Sequence, residues 1–270
     1  MKKLTIFLNS LNKKALKIEK RVRFVISTAL LSFLMFLATF FFFDKAPQFI
    51  LLFIISSYCL TYFAIIEGIE RVEWITLFFM PVILTLSFYF FYFLFPVRWL
   101  TRVPFILIYG ISIYANLLVS NIYNVRVEKS LQLYRAAFSV NFFFQTLAVF
   151  LLFNTLLSFH FSFISNTVFT GLFIFVLGLQ LYWGVKMPPV FDKEIILYAV
   201  LTALILGQLI MIFSFTAVKG TILALFITAS YYSLSALIYS YMDQRLFKET
   251  IREYLFVWIF VFILMILSIG

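Results

Sequence analysis

The chain has 270 residues, of which 64% are hydrophobic, 39 are phenylalanine and only 12% are charged. A soluble domain carries about a quarter of its residues charged, so an ordinary water-soluble globule is excluded. The net charge of +10 would suit nucleic acid, but the cations stand at the ends of apolar runs and not on a separable domain. Anionic lipid headgroups are therefore the expected counter-charge, and no nucleic-acid partner is expected.

Residues 1–23 carry eight Lys or Arg against one Glu. Leu4, Phe7, Leu8, Leu11, Ala15, Ile18 and Val22 recur at three- and four-residue steps, while Lys13, Lys17, Lys20 and Arg21 fall on the other side. This pattern predicts a basic amphipathic helix lying on the cytoplasmic headgroups; docking to an acidic protein partner is the other reading. The first long apolar run begins only at Phe24 and is a full span in length, unlike the short core of a cleavable signal peptide.

About 20 apolar residues cross a hydrocarbon layer of about 30 Å as a helix. By that rule residues 24–270 form one transmembrane helical domain with spans at about 24–43, 49–66, 74–95, 104–122, 136–157, 163–185, 195–216, 221–241 and 254–270. Lipid cannot satisfy open backbone groups and these runs are too long for barrel strands, so the predicted fold class is all-α, a polytopic integral membrane helical bundle of about nine transmembrane helices.

Positive residues stay on the cytoplasmic side of a membrane, and this orients the spans. With the N-terminus inside, the cytoplasmic segments hold the eight cations of the tail, Arg71, then Arg126, Lys129 and Arg135, then Lys186 and Lys193, then Arg245, Lys248 and Arg252. The opposite side holds only Lys45, Arg98, Arg102 and Lys219. Nine spans with a cytoplasmic N-terminus and an external C-terminus follow. The thinnest support lies at residues 136–185, fifty residues without a formal charge, interrupted only by the turn around His160.

In chain order, Cys59 stands inside an apolar run and is expected as a small buried side chain. Glu67, Glu70 and Glu73 form an acidic cluster that could hold a divalent cation or a basic partner on a helical extension. As a solvated cytoplasmic loop with Arg71 partly paired, it needs neither. Pro81 should bend the third span, with Thr85 and Ser87 as candidates to compensate its missing backbone donor. Ala199, Ala203 and Gly207, then Ala229, Ser233 and Ala236, with Gly171 and Gly178, mark close helix packing. Trp74, Trp99, Tyr123, Trp183, Tyr241 and Tyr254 stand near span ends, as an interfacial aromatic belt would.

Chemistry-bearing residues are sparse. His160 is the single histidine, no metal-ligand cluster, Walker loop or dinucleotide fingerprint is present, and the spans as drawn contain no ionisable residue. No cofactor is expected. What does gather is amide: Asn116, Asn121, Asn141, Gln145 and Gln180 in the cytoplasmic half of spans four to six, with Gln208 deeper in span seven. They suit a polar vestibule that binds a headgroup, or interhelical hydrogen bonds, because a lone amide in hydrocarbon must find a partner. The loop between spans four and five, with Arg126, Lys129 and Arg135, is the candidate contact for a protein partner or a second copy of the chain.

Residues 121–137, NIYNVRVEKSLQLYRAA, resemble the loop of a family of uncharacterised, Phe-rich multi-span membrane proteins from small-genome bacteria. In that family an Asn-Ile-Tyr-Asn-Val stretch precedes a Leu-Leu-Arg-Ala-Ala-like segment, and Tyr134 departs from its aliphatic pattern. The resemblance implies a bacterial inner-membrane protein and brings no activity or site residues. The residues themselves point to a non-enzymatic structural or accessory subunit of an envelope assembly, or else to a transporter or flippase for a lipid or other hydrophobic substrate. An enzyme acting on a lipid-linked substrate ranks third.

Overall fold

The computed structural model describes residues 16–41, 45–66, 69, 72–96, 98–125, 132–159, 161–216 and 218–268. Among these residues the chain is all-α, with no strand, in nine helices: α1 (Lys20–Ala38), α2 (Ala46–Ile65), α3 (Glu73–Tyr92), α4 (Trp99–Asn124), α5 (Gln132–Ser158), α6 (Phe163–Lys186), α7 (Lys193–Phe213), α8 (Gly220–Met242) and α9 (Lys248–Leu267). All nine are long and apolar enough, by length and composition, to cross a membrane.

The basic N-terminal helix expected over residues 1–23 falls mostly outside the described residues. Where it can be followed, residues 16–18 form a turn, Glu19 caps α1, and Lys20 to Arg23 are the first turn of α1. Span one thus begins earlier than hydropathy places it, because a helix continues past the edge of its apolar stretch when cations of its first turn, here Lys20 and Arg21, can reach headgroups.

Contacts divide the chain into two compact units, Met1–Asn141 and Phe142–Gly270, with the division inside α5. In the first unit consecutive helices run antiparallel. Near the start of α1, Ser27 Oγ donates to Leu60 O near the end of α2 at 3.0 Å. The α2–α3 seam is aromatic, with Tyr58 stacked on Phe78 at 4.5 Å and Phe53 against Tyr89 at 5.0 Å. Arg102 at the start of α4 reaches both Tyr92 at the end of α3 and Thr39 O after α1. Arg23 and Glu73 therefore belong to one end of this unit, and Thr39, Tyr92 and Arg102 to the other.

In the second unit α6 and α7 approach most closely. A Cβ added at Gly178 would stand 3.2 Å from the Ala199 Cα, so any larger residue would press the α7 backbone away at this crossing. Gly207 packs near Thr167 more loosely, and Gly171 faces open space. Helix α6 ends on Met187, whose φ of 47° is left-handed, and Trp183 Nε1 donates to Pro188 O at 3.0 Å to secure the turn. Helix α9 is held on α8 by Ser233 Oγ donating to Tyr254 O at 3.0 Å and Trp258 Nε1 donating to Ser230 Oγ at 2.9 Å.

Candidate functional site

Two polar seams run through otherwise apolar packing, one in each unit. In the first unit it begins with Pro81. Its ring nitrogen has no hydrogen, so the carbonyl of Leu77, four residues earlier, loses its helical donor. Ser120 Oγ on α4 fills that position, donating to Leu77 O at 3.2 Å. Thr85 Oγ1 donates to Pro81 O at 2.8 Å and lies 3.0 Å from the hydroxyl of Tyr109. The threonine proton is already committed, so Tyr109 is the donor of that pair. Helix α3 is thus bonded to α4 on both sides of the proline. Neither side chain expected to compensate Pro81 reaches the Leu77 carbonyl: Thr85 Oγ1 donates instead to Pro81 O, and Ser87 Oγ is buried without a partner.

Asn116 stands on α4 one turn before Ser120. It is 0% exposed, and neither its Oδ1 nor its Nδ2 has a hydrogen-bond partner. A neutral amide taken out of water without a partner costs about 1–3 kcal/mol. Asn121, half-buried, also has a sealed Oδ1 without a partner, and Asn141 is buried.

The second seam centres on Gln145, which is fully buried in α5. Its Nε2 donates to Gln180 Oε1 on α6 and, at 3.5 Å, to Leu177 O. Its Oε1 accepts from the Tyr231 hydroxyl on α8 at 2.7 Å. One side chain therefore ties α5 to both α6 and α8, with its donor and its acceptor both occupied. Close by in chain terms, the Tyr182 hydroxyl lies 2.7 Å from Thr202 Oγ1, which itself donates to Tyr198 O, so Tyr182 is the donor and ties α6 to α7.

No protein-family model, curated protein or solved structure matches this chain. What the site can do is read from its own residues.

Of the amides singled out from sequence, Gln145 and Gln180 meet, while Asn116 and Asn121 lie in the first unit with sealed oxygens. Gln208 is exposed and borders a groove of about 490 Å³ between α6 and α7, walled by Gly171, Ala203 and Gly207. Arg135 is exposed in the first turn of α5. Arg126, Lys129, Glu67, Glu70 and His160 lie outside the described residues. Among the described residues no three His, Cys, Asp or Glu side chains gather to hold a metal ion.

Several expectations from sequence are corrected. Glu73 is not in a solvated loop: it opens α3 and is 3% exposed. The helices do carry ionisable groups, since Arg23, Glu73 and Arg102 lie within them and are buried. A charge at a span end normally extends to water, and hydropathy does not register a side chain folded inward. Cys59 is exposed on the outer face of α2. Trp183 and Tyr123 belong to the core, whereas Trp74, Trp99 and Tyr241 are exposed as belt residues should be. Tyr231 and Tyr182 carried no sequence signal, as a buried tyrosine in a Phe-rich span is distinguishable only by what its hydroxyl meets.

Proposed function

We propose that the chain is a non-enzymatic membrane component, a structural or accessory subunit of an assembly in the cytoplasmic membrane of a bacterium. The observation that carries this reading is Gln145: this fully buried amide of the candidate cluster is committed to Gln180, Leu177 and Tyr231, which makes it a clasp between helices. Helix α9 supports it as well. Val261 and Met265 are its buried side chains, Tyr254, Trp258 and Phe262 are half-buried, and much of its remaining apolar surface is open to lipid or a neighbouring chain.

The proposed orientation has the N-terminus in the cytoplasm and the C-terminus outside, supported by the seventeen cations on one set of loops against four on the other. A reporter fused after Gly270 should then be active only outside the cytoplasm; cytoplasmic activity would overturn the orientation. For the assembly, mild crosslinking in native membranes followed by purification should retain a larger species, lost when residues 1–23 or the cations Arg126, Lys129 and Arg135 are replaced. Recovery of a lone monomer from crosslinked membranes argues against it.

The second reading, a transporter or flippase for a lipid or other hydrophobic substrate, is favoured by Asn116, whose partnerless amide lies on α4 one turn before Ser120. Substrate flux in proteoliposomes that Asn116→Leu abolishes would establish it in place of the first.

A further inference from the structure

Arg102 is the most completely enclosed cation at its end of the first unit, 8% exposed on the first turn of α4. Its Nε donates to the Tyr92 hydroxyl and its Nη2 to Thr39 O, each at 3.2 Å. The ring of Phe40 lies 4.4 Å from the guanidinium carbon and that of Trp99 lies 5.5 Å away. All four neighbours are neutral. Among the described residues no carboxylate pairs with Arg102, and the unit's described acids, Glu19 and Glu73, cap or open α1 and α3 at the opposite end. Asp44 lies outside the described residues.

A buried cation is sustained by a counter-charge, and hydrogen bonds to neutral groups with ring faces offset only part of its lost hydration. What remains at this site consists of donors. Nη1 has no protein acceptor among the described residues. The Tyr92 hydroxyl accepts from Nε and keeps its own proton to give. Lys45 and Arg98, the residues preceding α2 and α4, stand exposed at the same end, and Lys45 lies over the Phe41 ring at 4.7 Å. Trp99 and Leu100 beside them are 61% and 85% exposed, an apolar and aromatic rim of the kind that lies at headgroup level.

A planar guanidinium held edge-on by two fixed bonds presents its remaining N–H groups as a fork, the arrangement that binds phosphate oxygens in pairs. A single carboxylate would satisfy the fork and leave the tyrosine proton and the flanking cations unused, whereas a phosphate has oxygens for all of them. We propose that Arg102, together with Tyr92, binds a phosphate group at the membrane surface, either that of a lipid headgroup or a soluble phosphate.

The test is ligand binding to the purified full chain in mild detergent by native mass spectrometry. Phosphatidylglycerol is compared with diacylglycerol of the same acyl chains, with and without inorganic phosphate. The wild-type chain should prefer phosphatidylglycerol by about tenfold or more. Arg102→Gln should abolish that preference, Arg102→Lys should retain part of it by charge without the fork, and Arg98→Gln should leave most of it. Displacement of the lipid by millimolar inorganic phosphate assigns the site to soluble phosphate; resistance assigns it to lipid. Should Arg102→Gln fail to fold, Tyr92→Phe keeps the ring and removes only the hydroxyl, and is expected to weaken the preference severalfold. Equal binding of the two lipids by the wild-type chain with no inorganic phosphate retained in the spectrum overturns the proposal, as does an undiminished preference in both Arg102→Gln and Tyr92→Phe.

Discussion

Ser120 donates from α4 to the carbonyl of Leu77 on α3, the acceptor that Pro81 leaves without its helical donor. In hydrocarbon such a carbonyl has no water to turn to, so the hydroxyl repairs a specific defect and fixes the register of the two helices. Ser120→Ala should destabilise the chain by about 1–2 kcal/mol in detergent unfolding. The partner experiment is sharper. In a Pro81→Ala background residue 81 recovers its N–H, Leu77 O regains a donor, and the penalty of Ser120→Ala should fall to about a quarter or less of its value, following the logic of a double-mutant cycle. Equal penalties in both backgrounds would show that Ser120 acts through packing alone.

The Gln145 clasp sets a hierarchy among three substitutions. Tyr231→Phe removes one donor and should cost about 1 kcal/mol, because Gln145 Oε1 is left buried and unpaired. Gln145→Leu removes the hydrogen bonds to Gln180, Leu177 and Tyr231 together and should cost more, about 2–4 kcal/mol. Adding Tyr231→Phe to Gln145→Leu removes the hydroxyl that faced the lost amide oxygen and should recover part of the loss. Thermal unfolding in mild detergent checks the order.

Glycines of α6 separate a packing requirement from mere tolerance. Gly178→Ala drives a methyl to 3.2 Å from the Ala199 backbone, which cannot move without shifting α7, so a loss of about 1–3 kcal/mol is expected. Gly171→Ala meets nothing within 4 Å and should be neutral or stabilising by about 0.5–1 kcal/mol through helix propensity. A comparison of the two melting temperatures is sufficient.

Much of this architecture is legible in the sequence because the bilayer imposes so few solutions. Runs of about 20 apolar residues become helices, and all nine predicted spans correspond to α1 through α9. Gly178 and Ala199 were visible as small residues, though not that they face each other. Pro81 announced a bend, yet its main remedy lies 39 positions along the chain in Ser120, a partnership fixed only by helix rotation. The inward turn of Arg23, Glu73 and Arg102 was equally hidden. Hydropathy records how apolar a segment is, while the face on which a charge falls depends on the angle at which the helices pack.

Asn116 offers the clearest separation of structure from binding. Its amide is sealed in the first unit with both polar atoms unpartnered, so in a purely structural role it is a defect. Asn116→Leu replaces it with an apolar side chain of similar volume and removes the desolvation penalty. The variant should be as stable as the wild type or more stable by about 1–2 kcal/mol, measured by thermal unfolding in lipid nanodiscs and in detergent. A polar molecule held by the amide in the membrane reverses the sign in nanodiscs alone, because its binding energy contributes to the folded wild-type chain and is lost on substitution. Stabilisation in both media therefore favours the accessory-subunit reading, and destabilisation confined to nanodiscs favours the transporter.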